Sequence, residues 1–538
     1  MEPKPGTFPG SNDPRILPCS EEGMLSGGLA PGPATISLLM RRTLLAALFL
    51  FYIGSSTPSA HAAPADPLPT LPVESFELEN GMRFLLVRRP GVPMVAAGWV
   101  VRTGSGDERP GVTGISHLLE HLMFHGSRRI GTRFPDREGT LLARQDEVGD
   151  RLIELRGQPA SAARDAEIAD LQRRLDKLLA DQRSLQVRGE LIRLYRDAGA
   201  VGVQALTFRD YTVYFGQIPA NKLPLWFWLE SDRLLDPVFR EFYVEGSVVE
   251  EERRQRLEST PTGRAVEKLT EAFWEGHPYA WTTLGRTEDL ASLRRSQTEA
   301  WFREHYRPDR MTAALVGDFD PGQVKALAQA YFGRLQRPAA PAPAAVAAAV
   351  EAPAGERRVT ESCECTPQSR VLYRSPAFGH PDLYALDVLA GILNGRTGRL
   401  YRSLVLGQGI AFAAYAEHDP ARRGGSFAVV LESKGEATPE KLVAAWEAEV
   451  DRLRREPVSE RELQKVKNQI LTDSWRRLSD PMTLALRLLS TDALGDWRVL
   501  ERWPEATQAV TAADVQRVVN AWLDPRKRTV GVFVRGRR

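Results

Sequence analysis

Residues 337–355 form a low-complexity run of alanine and proline, and this run divides the chain into two stretches, each long enough to hold a core. Before it, residues 82–88 (MRFLLVR) and 95–102 (VAAGWVVR) read as strands separated by Pro90 and Gly91. A helix is expected from an N-cap at Thr113 through Phe124. Strand character returns over 206–218, helix over 223–235 and 239–258, then strand over 311–316 and helix over 324–335. After the run the order repeats: strand 369–373, helix 382–393, strand 426–431, helices 440–455 and 460–475, and strand 529–534. Two stretches of similar size and order point to an internal duplication. The expected fold class is α+β: two homologous domains, each a mainly antiparallel sheet with helices packed on it, plus a helical insertion in the first.

The insertion is read at about 141–196. Leu152, Leu155, Ile168, Leu171, Leu175, Leu178 and Leu179 recur at helical spacing among charged residues, and Gly157-Gln158-Pro159 interrupts them. Such an arm either packs on its own domain or offers a coiled-coil face to a partner helix; the first is the expectation here.

Residues 1–62 form an N-terminal extension ending in a signal peptide over about 40–62. Arg41 and Arg42 precede an apolar run, 43–54, and small residues at 59–62 suit cleavage. The run is short of the roughly 20 residues a bilayer span needs, so membrane contact is expected only through an uncleaved signal. The mature chain is therefore expected to be secreted or periplasmic. Beyond the signal only Cys363 and Cys365 remain, one residue apart, as a local disulfide or two thiols, and neither is given a functional role. Lys plus Arg number 71 against 69 Asp plus Glu, a balance that excludes the basic excess of a nucleic-acid binder.

The chemistry concentrates in His117-Leu118-Leu119-Glu120-His121. On a helix the two imidazoles lie one turn apart on one face, and Glu120 shares it. Two imidazoles this close suit Zn²⁺, and the adjacent carboxylate suits a general base. With 8 histidines in 538 residues, chance produces this spacing at a rate on the order of a few per cent. Leu118, Leu119, Leu122 and Met123 make the opposite face apolar, as in a buried helix. Zinc needs a third protein ligand, and the run Glu250-Glu251-Glu252 can supply it; spacing alone does not choose among the three.

With this motif and the downstream Glu245-Gly-Ser-Val-Val-Glu-Glu-Glu252, the chain resembles the inverted-motif zinc peptidases of the pitrilysin, insulin-degrading enzyme and mitochondrial processing peptidase type. The resemblance extends over nearly all of the mature chain and takes in His277-Pro278-Tyr279, Val316-Gly317-Asp318 and residues 394–401. It implies that Glu252 is the third zinc ligand, that Glu245 supports the site, and that Glu120 is catalytic. It implies a substrate strand over 202–215, with peptide pairing near Gln204, Ala205, Leu206 and Thr207. It implies a zinc-bearing domain at 63–336 and a second, non-zinc domain at 356–538. The function implied is zinc-dependent endopeptidase action on oligopeptides or small unfolded proteins, the alternative being a non-catalytic partner subunit of an active relative. A homodimer, or a heterodimer with a related chain, is expected on the same ground. Three departures stand out. The interval from His121 to Glu252 is far longer than in members without an insertion, Gln204 replaces the usual Asn, and Val405 and Phe412 stand where the family has a substrate-holding Arg and Tyr.

Overall fold

A computed structural model describes residues 71–337 and 355–536; the expected signal segment and the body of the Ala/Pro run lie outside these residues. Eleven strands are present among them: β1 (Glu74–Glu77), β2 (Arg83–Arg88), β3 (Met94–Val101), β4 (Val201–Thr207), β5 (Thr212–Pro219), β6 (Met311–Gly317), β7 (Arg357–Cys363), β8 (Gln368–Ser375), β9 (Ala411–Asp419), β10 (Gly425–Ser433) and β11 (Arg528–Arg535). They form two sheets, ordered β1-β2-β6-β3-β5-β4 and β7-β11-β8-β10-β9. Each is antiparallel except for one parallel pair, β2 with β6 and β7 with β11. Apart from β1, the second order repeats the first, strand for strand. The mixed α+β class expected from the sequence is the one observed.

The first half contributes helices α1 (Ile115–Leu122), α2 (Pro135–Arg156), α3 (Ala162–Leu185), α4 (Glu190–Asp197), α5 (Leu223–Leu235), α6 (Phe242–Arg253) and α7 (Gly263–Phe273). Phe84, Trp99, Tyr214, Phe227 and Phe332 build its core with Leu118, Leu119 and Leu122 of α1. β3 reads MVAAGWVV, nearly all of it buried, because a strand covered on both faces is apolar throughout. The second cover is the helix Pro481–Leu494, whose Leu484, Leu488 and Leu489 are buried and which packs on β3 and β6. A Cβ at Gly98 of β3 would stand 2.7 Å from Tyr214 O and 3.1 Å from Leu489 Cδ1, so only glycine permits this approach. α7 reciprocates by packing Leu269 on β11 of the second sheet, beside Gly531. At the crossing, Asp492 is fully buried and accepts from Arg83 (2.8 Å), Arg102 (3.0 Å) and Thr312 (2.6 Å).

The helical periodicity read at about 141–196 falls on α2, α3 and α4. Val148, Leu152, Leu155, Leu171 and Leu175 zip α2 to α3 across the Gly157-Gln158-Pro159 break. Glu138 of α2 pairs with Arg240 at 2.8 Å, both buried, and Arg240 also donates to His125 O and Ser127 O. The arm is thus pinned to its own half.

Three sequence readings need correction. The helix begins after Gly114, not Thr113: the Thr113 hydroxyl is spent on Asp289 (2.7 Å) and on the Arg286 amide (2.8 Å). Residues 206–218 are not one strand but the end of β4, a tight turn closed by Phe208 N to Tyr211 O (2.8 Å), and β5; the apolar flanks mask the turn. Residues 239–258 are α6 from Phe242 followed by a π-helical turn, Arg254–Glu258. Cys363 and Cys365 are joined as a disulfide.

Candidate metal centre

α1 is short, and its start is fixed from outside. Gly114 takes φ +88°, and a Cβ there would lie 2.7 Å from Leu290 Cδ2 and 3.1 Å from Gly285 Cα. No side chain of the helix caps it. Instead the buried Glu108 carboxylate accepts from Gly114 N and Ser116 N, each at 2.9 Å, satisfying two of the amides a helix start leaves open. Burial pushes the Glu108 carboxyl up to about 8, against the pull of those two amides.

With its leucines in the core, α1 turns His117, Glu120 and His121 to the other side, toward α6 and β4. On α6, Glu245 and Glu252 stand seven residues apart and so lie on one face, two turns from each other. Of the three successive glutamates only Glu252 meets the histidines; Glu250 is exposed, and Glu251 pairs with Arg254 on the outer face. Glu252 Oε2 lies 3.7 Å from His117 Nε2 and 3.4 Å from His121 Nε2, and the three ligand atoms fall within 4.8 Å of one another. Glu252 Oε1 is held by Arg256 at 2.7 Å.

This set fits zinc. Tetrahedral ligands at zinc bond lengths stand about 3.4 Å apart, close to the two separations above. Charge agrees with geometry. Burial and the neighbouring His121 charge push the His117 imidazole down to about 3. Burial also opposes charge on His121, but hydrogen bonds to Glu245 and Glu252 outweigh it and raise it to about 10. Burial alone would raise the Glu252 carboxyl; its bond to His121 and the charges of His117 and Arg256 hold it down at about 2. A neutral imidazole and a single proton on its partner, set between carboxylates, is a place where a divalent cation substitutes for the proton.

Around these atoms, His121 Nδ1 bonds Glu245 Oε2 at 3.0 Å, which fixes the ring so that Nε2 faces His117 and Glu252. Glu245 Oε1 bonds His125 Nε2 at 2.9 Å. Thr207 Oγ1, at the end of β4, donates to Glu120 Oε2 at 2.6 Å, with both residues buried. Gln204, Ala205 and Leu206 precede it on β4, the terminal strand of the first sheet, with Gln204 exposed and the other two buried. In the second half Phe412 is 71% exposed on β9 and Val405 is half-buried. Both three-ligand groups among the described residues, this one and His125 with Glu241 and Glu245, lie in the first half.

Sequence reasoning missed Arg256, His125 and the use Thr207 makes of its hydroxyl. The first two were findable: Arg256 follows Glu252 by four, and His125 follows His121 by four, so each continues an occupied helical face. Nothing in the β4 sequence announces a bond to α1.

A His-x-x-Glu-His helix set against a remote glutamate, on a mainly antiparallel sheet, is compatible with the inverted-motif zinc peptidases. Residues 83–133 match the family model described as Insulinase (Peptidase family M16), and residues 292–470 match the Peptidase M16 inactive domain. Over these two stretches the chain is similar to the M16 peptidase family. It is 22% identical over 403 residues to the Bacillus subtilis protein named uncharacterized zinc protease YmxG, covering 74% of this chain and 82% of that one. Its fold is that of a protease from Helicobacter pylori (TM-score 0.71, 21% identity, 86% of this chain and 99% of that chain). It is also that of half of the periplasmic protease PqqL from Escherichia coli (TM-score 0.64, 16% identity, 87% of this chain and 48% of that chain).

Proposed function

We propose that this chain is a zinc-dependent endopeptidase hydrolysing peptide bonds in oligopeptides or small unfolded proteins. The observation that carries the reading is the convergence of His117, His121 and Glu252 beside a Glu120 that is hydrogen-bonded to the sheet's terminal strand. His117, His121 and Glu252 hold the ion. Zinc, when bound, supplies Lewis acidity that brings the pKa of a water toward about 7. Glu120 takes the proton of the attacking water and hands it to the leaving amine. Glu245 orients His121, and Thr207 orients Glu120. An extended peptide pairs along Gln204 to Thr207, where strand addition presents its scissile carbonyl to Glu120. The zinc-bearing domain is 63–336 and its non-zinc counterpart 356–538. The chain works outside the cytoplasm, released by its signal segment, as a homodimer or with a related chain.

The test pairs metal content with cleavage. The purified protein is expected to hold a tightly bound zinc through His117, His121 and Glu252, and Glu120→Gln is expected to keep that zinc while losing cleavage of a broad peptide library. A wild-type protein that binds no zinc and cleaves nothing sinks the reading and favours a non-catalytic partner subunit.

A further inference from the structure

Beside the histidines of α1 lies a second convergence that the proposed peptide chemistry leaves unused. We propose that His125, Glu241 and Glu245 form a second, weaker divalent-cation site. One ligand atom from each lies within 4.8 Å of the others. One imidazole nitrogen and two carboxylates suit Zn²⁺, and also harder ions such as Mn²⁺; with one imidazole fewer than the neighbouring set, this one binds zinc less tightly.

Glu241 supplies the independent observation. Its Oε1 is fully buried and has no hydrogen-bond partner among the described residues. Burying a carboxylate oxygen without a partner is costly, and such groups are found paired or on metals. Glu241 also stands at the N-cap of α6, where a side chain normally accepts from the first helical amides, yet its carboxylate makes no capping bond. Its backbone sits at φ +56°, in the left-handed region, which no other non-glycine residue occupies among the described residues. From there the carboxylate is carried to His125 and Glu245 instead of the helix end.

Glu245 divides its two oxygens, Oε2 to His121 and Oε1 to His125. A cation on Oε1 therefore borders the first site through a carboxylate and an imidazole, and competes with His121 for the charge of Glu245. The site stands whether or not the chain cleaves peptides.

Calorimetric titration of the metal-stripped full chain with zinc alone tests this. Two binding events per chain are expected, separated by at least about tenfold in affinity, since the second site has one imidazole fewer. Glu241→Gln and, separately, His125→Asn are expected to abolish the weaker event and keep the tighter one. A single tight event in the wild type, unchanged in both variants, overturns the second site and leaves the catalytic reading standing. Two events that persist in both variants overturn it equally. No event in the wild type removes both readings.

Discussion

Thr207→Val isolates the hydroxyl that orients Glu120. The side chains are nearly isosteric, so the substitution deletes one hydrogen bond and little volume. That bond is 2.6 Å long, and its direction is set by its surroundings. Thr212 Oγ1, 3.4 Å from Thr207 Oγ1, is bonded to Thr103 O at 3.1 Å, so the Thr207 proton is left for the Glu120 carboxylate. A hydrogen bond to a charged group contributes about 1.5–3 kcal/mol. If all of it is expressed in placing the carboxylate for proton transfer, kcat falls about 10- to 150-fold. KM should move little, because strand pairing with the peptide uses the Thr207 backbone and not its hydroxyl, and zinc content should not move, because that hydroxyl is bonded to Glu120 and not to His117, His121 or Glu252. Thr207→Ser restores the hydroxyl and should return most of the activity. Steady-state kinetics on one fluorogenic peptide, with zinc counted by mass spectrometry, reads all three. Activity of Thr207→Val within about twofold of wild type refutes the positioning argument. So does loss of zinc, which would make the residue structural.

Two stability predictions follow from buried carboxylates. Asp492→Ala orphans the buried Thr312 hydroxyl and two arginines that keep 33% and 29% of their side chains in water. Removing one partner of a buried pair costs about 3–5 kcal/mol, and the arginines' partial rehydration brings the expectation to about 2–4 kcal/mol in urea denaturation; a loss below about 1 kcal/mol would show that the crossing helix is held by packing alone. Glu108 carries a pH signature. Its carboxyl is raised from 4.5 to about 8 on folding. Between those values the native state binds more protons than the unfolded chain, so stability falls as pH rises through the window and levels off above it. Relative to wild type, Glu108→Gln should gain stability steadily from about pH 4.5 to about pH 8. Parallel melting-temperature profiles for the two proteins would dismiss the claim.

How much of this was legible beforehand depends on whether the information is local. The pairing of His117, Glu120 and His121 is a statement about one helical turn, and five residues carry it. The Glu245 and Glu252 pair is equally local to α6, but nothing local ties α6 to α1; the link came through the family resemblance, and the structure supplies its reason in the Glu245 to His121 bond. The helix boundary at Gly114 could not be read because its caps, Glu108 and Asp289, act from other segments. β9 escaped because AFAAYAEHD is rich in small residues without β-branching, which sheet neighbours tolerate but propensity does not advertise. The second cation cluster escaped because Glu241 leaves the helical pattern that made Glu245 and Glu252 conspicuous.

The second half has a physical reason to persist. The first sheet holds the candidate site on one face, and β3 and β6 at its centre are buried along nearly their whole lengths. Such strands need cover on both sides. The cover on the far side is the helix Pro481–Leu494, contributed by the second half and seated against Gly98, with Asp492 receiving Arg83, Arg102 and Thr312 beneath it. α7 returns the favour at Gly531 and Phe533 of the other sheet. Each repeat lends the other a helix, so a single repeat would expose a bare apolar sheet face. In the second half the helix that follows β8, as α1 follows β3, bears Asp387 bonded to His418 at 2.7 Å in place of a His-x-x-Glu-His set. The second half cannot lose its helix, because the first sheet depends on it.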